Sequence, residues 1–328
     1  MKILFFKPHY LYLPYIKSWE KENNIKVDIL EEAINERNIY KLRDYDGLVL
    51  TVANKLDDNM YQKIADMGIK QISLTSVGYE KIDLDKASKA GLIVTNTPDY
   101  SPESIAEFTL MMILKALRHD KKIIDRKNKL DYRQKEEILG ETLMGKTLGI
   151  YGLGRIGSLV ASYAHSLGAK VISHSRNENH KTADFVKIQD SYDEVLKYSD
   201  ILTIHSALTD DNYHFFNNET FDKMKDGAIL INSARGGLVD NKDLLDALNK
   251  GKIAFASLDV FEGEKHLVGK NNPSYDDKVL ASLISHPNVE IYPHISYFTK
   301  TSMKNQAQYS LDSVLEVLKT GDSKNRVN

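Results

Sequence analysis

An α/β protein built from two doubly wound parallel-sheet domains is what this sequence predicts. Three observations lead there. Short apolar runs alternate with charged, helix-period stretches over most of the chain, the pattern of strands joined by crossover helices. A glycine-rich turn, Gly152-Leu153-Gly154-Arg155-Ile156-Gly157, lies mid-chain between an apolar run and a helical one. The length, 328 residues, suits two domains of roughly 100–200 residues each.

Taken in order, strands are expected at 2–6, 26–29, 47–51, 71–74 and 93–96, with helical segments such as 58–67 and 83–90 between them. These suffice for one small doubly wound domain. At 96–103 the pattern changes. Ser101 suits an N-cap, Pro102 the first helical position and Glu103 the first turn. A helix, apolar from 105 to about 118, should follow; its stripe suits ordinary core packing or a contact between copies of the chain. A second α/β series begins at 146 and continues to about 296, and 299–319 reads as one long helix.

Composition narrows the function classes. Hydrophobic residues at 42% and charged residues at 27% belong to a globular chain, not a disordered one. A formal net charge of -2 gives no basic field to recruit nucleic acid or anionic lipid. The chain has no cysteine, which excludes disulfides, thiolate metal ligands and cysteine nucleophiles, and no metal site is expected. Charge and Pro8 interrupt the apolar N-terminal run too early for a signal peptide, and no window approaches the ~18 apolar residues of a membrane span. The cytoplasm is the expected setting.

The run 147–151 should be a buried strand leading into the glycine turn, with a helix to about 167 and a strand at 170–173 after it. In that context Gly152 permits the tight turn, Gly154 lets backbone approach a pyrophosphate, and Gly157 lets helix and strand pack closely. A dinucleotide is the expected ligand; a structural turn in a domain that binds something else is the alternative. The strand tip Ser173-His174-Ser175-Arg176 lacks the acid that normally holds the ribose of NAD. Ser175 and Arg176 would instead welcome a 2′-phosphate, which favours NADP and leaves NAD open.

Three later strands end in residues suited to chemistry. The run 228–232 leads to Ser233-Ala234-Arg235, 254–258 leads to Asp259 and then Glu264, and 289–292 leads to Pro293-His294. Ligands bind outside the carboxyl ends of such strands, so Arg235, Glu264 and His294 are expected to converge. Arginine can clamp a substrate carboxylate, histidine can give or take a proton near neutral pH, and a carboxylate can orient the imidazole and favour its charged form. Read singly, each has a bland alternative: a loop histidine, a capping arginine, a glutamate in a solvated turn.

With these residues, Ser76-Val77-Gly78-Tyr79, Lys81-Ile82-Asp83-Leu84 and the run from Tyr100 to Glu107, the chain resembles the D-isomer-specific 2-hydroxyacid dehydrogenases. The resemblance spans nearly the whole chain and is nearest to the D-lactate branch, including the vancomycin-resistance type. It implies that Arg235 binds the substrate carboxylate and carbonyl, that His294 is the acid/base and that Glu264 is its partner. It further implies amides of Val77 and Gly78 as a second carboxylate clamp, with Tyr100 and Tyr297 lining the substrate pocket. Arg155 and Ile156 fall at the pyrophosphate, Asp259 at the nicotinamide carboxamide, and Ala234 and His205 on the cofactor side. It implies a flavodoxin-like substrate-binding domain (1–100 plus 299–328) with the Rossmann dinucleotide domain (101–298) inserted, closing over substrate, and a homodimer.

Two departures stand out. The family's His-x-Pro appears as His205-Ser206-Ala207. Val52 stands where several lactate enzymes have a tyrosine, which leaves room for a side chain bulkier than that of pyruvate. The expected activity is reduction of pyruvate or a similar 2-keto acid to the D-2-hydroxy acid. The alternatives are an enzyme for branched or aromatic keto acids and a non-catalytic dinucleotide sensor resembling a corepressor.

Overall fold

Five short parallel strands open the chain in the computed structural model, which describes residues 1–175, 183–271, 273 and 276–328. They are β1 (Lys2–Phe6), β2 (Lys26–Leu30), β3 (Gly47–Leu50), β4 (Gln71–Leu74) and β5 (Ile93–Thr95), in the spatial order β2-β1-β3-β4-β5. This is the flavodoxin-like order. Every residue of β3 and β4 is buried, as parallel strands covered on both faces require. One face packs Leu4, Phe6, Leu48, Leu50 and Ile72 against α2 (Met60–Asp66) and the segment before it. The other helices of this stretch are α1 (Leu13–Asn23) and α3 (Leu84–Lys89), the latter N-capped by the Asp83 side chain.

The next stretch forms a second parallel sheet. Two helices, α4 (Pro102–Leu117) and α5 (Asp120–Asn128), precede it, and His119 in the left-handed region (φ 53°) separates them. Then come β6 (Thr147–Tyr151), α6 (Arg155–Ser166), β7 (Lys170–Ser173), β8 (Val186–Ile188), α7 (Tyr192–Tyr198) and β9 (Ile201–Ile204). The series ends with α8 (Asn218–Lys223), β10 (Ala228–Asn232), α9 (Asn241–Asn249), β11 (Ile253–Leu258), α10 (Lys278–Ser285) and β12 (Val289–Ile291). Among the described residues the strand order is β12-β11-β10-β9-β6-β7-β8. Connections run one way from β6 to β7 and the other way across β9, so the sheet has its topological switch point at the carboxyl ends of β6 and β9.

The last helix, α11 (Lys300–Thr320), returns to the first sheet. Ser73 donates to the carbonyl of Ser310 at 2.7 Å, and Trp19 Nε1 donates to Asp312 at 2.7 Å. The tail then runs antiparallel along β5, with Val327 N donating to Val94 O, and covers that edge. The chain thus divides into one unit of Met1–Ser101 and Phe298–Asn328, and another of Pro102–Tyr297. No helix among the described residues is long and apolar enough to cross a membrane.

Candidate active site

The glycine turn follows β6 directly. Gly152 has φ 97°, a conformation that suits glycine, and a side chain there would strike the backbone of His205 and Ser206. At Gly154 an added Cβ would meet nothing within 4 Å, so the backbone faces open space. Gly154 caps α6 without a side-chain acceptor, and the first turn of α6, starting at Arg155 and Ile156, carries no acid. The helix dipole there is left to favour an anion. Gly157 is buried, and its Cβ would lie 2.3 Å from Gly152 O, so helix and turn approach as only glycine allows. These features fit a dinucleotide pyrophosphate.

Around the adenosine side, Ser173 donates to Ile150 O at 2.8 Å, and the His174 ring lies edge-on to Tyr192 at 4.7 Å. No acid stands among Ser173, His174 and Ser175 at the tip of β7. Arg176, the residue expected to read a 2′-phosphate, lies outside the described residues. His205 is half-buried, with Nε2 2.9 Å from Thr203 Oγ1 and its buried Nδ1 without a partner among the described residues. Burial pushes its pKa down to about 3, so it is a neutral wall and not a charge for phosphate.

The chemistry-bearing loops leave β10, β11 and β12. Asn232 fixes the first: its Oδ1 accepts from Ala234 N and its Nδ2 donates to Arg235 O, both at 3.0 Å. Arg235 Nη1 donates to Ala234 O at 2.8 Å. Ser233 and Thr109 of α4 share a buried hydroxyl contact of 2.9 Å, which ties α4 to this loop.

After β12, His294 adopts φ 56°, unusual for a residue with a side chain. Completely buried Asp259 holds it there. Its carbonyl accepts from His294 N at 3.0 Å, and its two carboxylate oxygens accept from Ile295 N at 2.8 Å and Ser296 N at 2.9 Å. The loop is thereby set so that His294 Nδ1 meets Glu264 Oε1 at 2.9 Å. Glu264's other oxygen accepts from Phe261 N at 3.3 Å. Burial alone would lower the imidazole's pKa. The hydrogen bond and charge of Glu264, aided by Asp259 and opposed by Arg235, outweigh it, and the net shift is upward. With Nδ1 committed to Glu264, Nε2 is the nitrogen left to exchange a proton with a ligand. The Tyr297 ring stands edge-on to His294 at 6.0 Å.

Comparison with known proteins supplies the deciding observation. The model of the D-isomer specific 2-hydroxyacid dehydrogenase NAD binding domain matches residues 110–296. The chain belongs to the D-isomer-specific 2-hydroxyacid dehydrogenase family. It is 37% identical to a D-2-hydroxyacid dehydrogenase (NAD(+)) of Clostridioides difficile, covering 100% of both chains. It is 34% identical to a D-lactate dehydrogenase of Staphylococcus aureus strain MRSA252, over 100% of this chain and 99% of the relative. A solved D-2-hydroxyisocaproate dehydrogenase superposes with a TM-score of 0.93 at 29% identity, over 100% and 99% of the two chains. As a member of this family the chain binds a nicotinamide dinucleotide in its second unit.

Of the sequence-derived positions, Arg235, Ala234, Asp259, Glu264, His294 and Tyr297 sit on the loops after β10, β11 and β12 of the dehydrogenase's second unit. Val52, Val77, Gly78 and Tyr100 belong to the first. There, Lys81 donates to Val52 O, Asn96 to Val77 O at 2.8 Å, Ser76 to Gly78 O at 2.7 Å and Asn305 to Tyr100 O at 2.8 Å. Sequence reasoning missed the clamp that Asp259 places on the His294 loop. Its signal was present only as an acid closing an apolar strand, which does not say that the acid serves backbone amides.

Proposed function

We propose that this dehydrogenase reduces pyruvate to D-lactate, with NADPH preferred over NADH. The observation that carries the reading is the 2.9 Å contact of His294 Nδ1 with Glu264, which leaves Nε2 for the substrate and favours the imidazolium that carries a proton there. Arg235 would hold the keto acid's carboxylate through charge-assisted hydrogen bonds and polarise its carbonyl. The nicotinamide, when bound, supplies a hydride to the carbonyl carbon. His294 gives its Nε2 proton to the oxygen, and Glu264 stabilises the imidazole on either side of that transfer. We assign to substrate binding the amides of Val77 and Gly78 as a carboxylate clamp, Tyr100 and Tyr297 as rings lining the substrate pocket, and Val52 as a neighbour of the substrate's side chain.

The NADP preference rests on the acid-free tip Ser173–Ser175 and on Arg176 following it. A second reading, a bulkier keto acid, is favoured by one observation: Val52 is small and 58% exposed. A homodimer is proposed through the second unit, where Met111 and Leu114 of α4 and Ile123 and Ile124 of α5 are each 37–39% exposed. We place the enzyme in the cytoplasm, a setting in keeping with a chain that has no cysteine.

Initial rates of NADPH and NADH oxidation with pyruvate, 2-ketoisocaproate and phenylpyruvate test the reading. The expected result is highest kcat/KM with NADPH and pyruvate, giving D-lactate. Preference for NADH overturns the cofactor assignment, preference for a larger acid selects the second reading, and no turnover with any pair overturns both.

A further inference from the structure

Behind the Arg235 and Glu264 loops lies a polar cluster that the proposed chemistry does not use. His214 sits between α8 and β9, in the left-handed region at φ 52°. Its Nδ1 is 3.1 Å from Asp240 Oδ2, and its Nε2 is 3.0 Å from Glu262 Oε2. Glu262's other oxygen accepts from Tyr213 OH at 2.5 Å, and the Tyr213 ring stacks on His214 at 3.9 Å. Asp240 is committed as well: its Oδ1 caps α9 by accepting from Lys242 N and Asp243 N. The charged and titratable groups facing His214 are therefore Asp240, Glu262 and Tyr213.

An imidazole can donate at both nitrogens only when both carry protons, and here each nitrogen faces a carboxylate oxygen. His214 thus joins a helix N-terminus to Glu262, two residues before Glu264. Backbone contacts carry the same connection. His214 N donates to Gly237 O at 2.8 Å, and Asn241 Nδ2 donates to Glu262 O at 3.0 Å. A Cβ on Gly236 would fall 2.2 Å from the carbonyl carbon of Phe261, so the segments after Arg235 and before Glu264 run in direct contact.

We propose that His214 is a positioning residue which, by bridging Asp240 and Glu262, sets the turn from which Glu264 reaches His294. The inference rests on the dehydrogenase reading above. It adds that the acid/base pair is held, through the 261–264 turn, by a second histidine outside the pair. Loss of the bridge would let the 261–264 turn drift, and small displacements of a catalytic pair cost as much as about a hundredfold in rate.

The test uses the full-length enzyme with pyruvate, NADPH and NADH. His214→Gln should lower kcat about tenfold or more while the Kd for NADPH, read by nucleotide fluorescence, changes less than twofold. Because Glu264 would then hold His294 less well, the basic limb of the pH profile for pyruvate reduction should move to lower pH. Glu262→Gln, which keeps the side chain's shape, should produce the same two changes. In the unaltered protein, spectra of nitrogen-15-labelled histidines should show His214 ring N–H protons that are hydrogen-bonded and slow to exchange. A folded His214→Gln enzyme with unchanged kcat and pH profile would overturn the proposal, as would His214 ring protons in free exchange with water; the spectrum decides even where a variant fails to fold. Absence of turnover in the unaltered enzyme would instead count against the dehydrogenase reading, since the spectrum does not depend on it.

Discussion

Opposing influences meet at His294. Burial disfavours the imidazolium, Glu264 and Asp259 favour it, and the balance lies with the carboxylates. Keto-acid reduction needs the protonated form, so it should persist as pH rises until the raised pKa is passed, then decline; oxidation, which needs the free base, should gain over the same window. Glu264→Gln removes the charge but keeps an acceptor for Nδ1. It should shift the basic limb of reduction to lower pH, measured as initial rate against pH at saturating cofactor; an unmoved limb would show that Glu264 does not tune the imidazole. These residues were legible in the sequence because arginine, glutamate and histidine each lie in a loop that follows an apolar run, and such runs end on one side of a parallel sheet. Asp259 and His214 were not legible in their roles. One spends its carboxylate on Ile295 and Ser296 amides, and the other sits in a charged loop where a solvated histidine would look the same.

Among the elements, α6 and β6 illustrate how tightly the cofactor cradle is specified. An added Cβ at Gly157 would lie 2.3 Å from Gly152 O and 3.2 Å from Ile150 Cγ2, and the nearest of these is backbone, which cannot swing aside. Gly157→Ala should destabilise the second unit by about 1–3 kcal/mol, as overpacking does, and weaken binding of the nicotinamide dinucleotide. Thermal unfolding and a fluorescence titration would read both, and unchanged values would contradict the close packing. The strands were legible because fully covered parallel strands are continuous apolar runs; expected ends differ by a residue at β3, where 47–51 was read and Gly47–Leu50 is seen. Elements without that signature were missed. The three-residue edge strand β8 leaves Lys187 and Ile188 exposed, and α5 buries no residue, so neither shows a stripe to read.

For the whole molecule, chain order and spatial order part company. The first sheet is completed by α11, so Ser73 bonds to Ser310 only after the whole second unit has been made, a long loop to close before that contact stabilises anything. The second unit, by contrast, holds both the glycine cradle and the His294–Glu264 pair in one contiguous stretch. Cofactor binding and proton transfer should therefore be separable by one substitution that leaves the cradle untouched. The most direct measurement is single-turnover pyruvate reduction by His294→Gln beside its NADPH affinity. The account predicts a rate loss of about 10²–10⁴-fold with affinity nearly unchanged; retained turnover would contradict the assignment of His294 as proton donor.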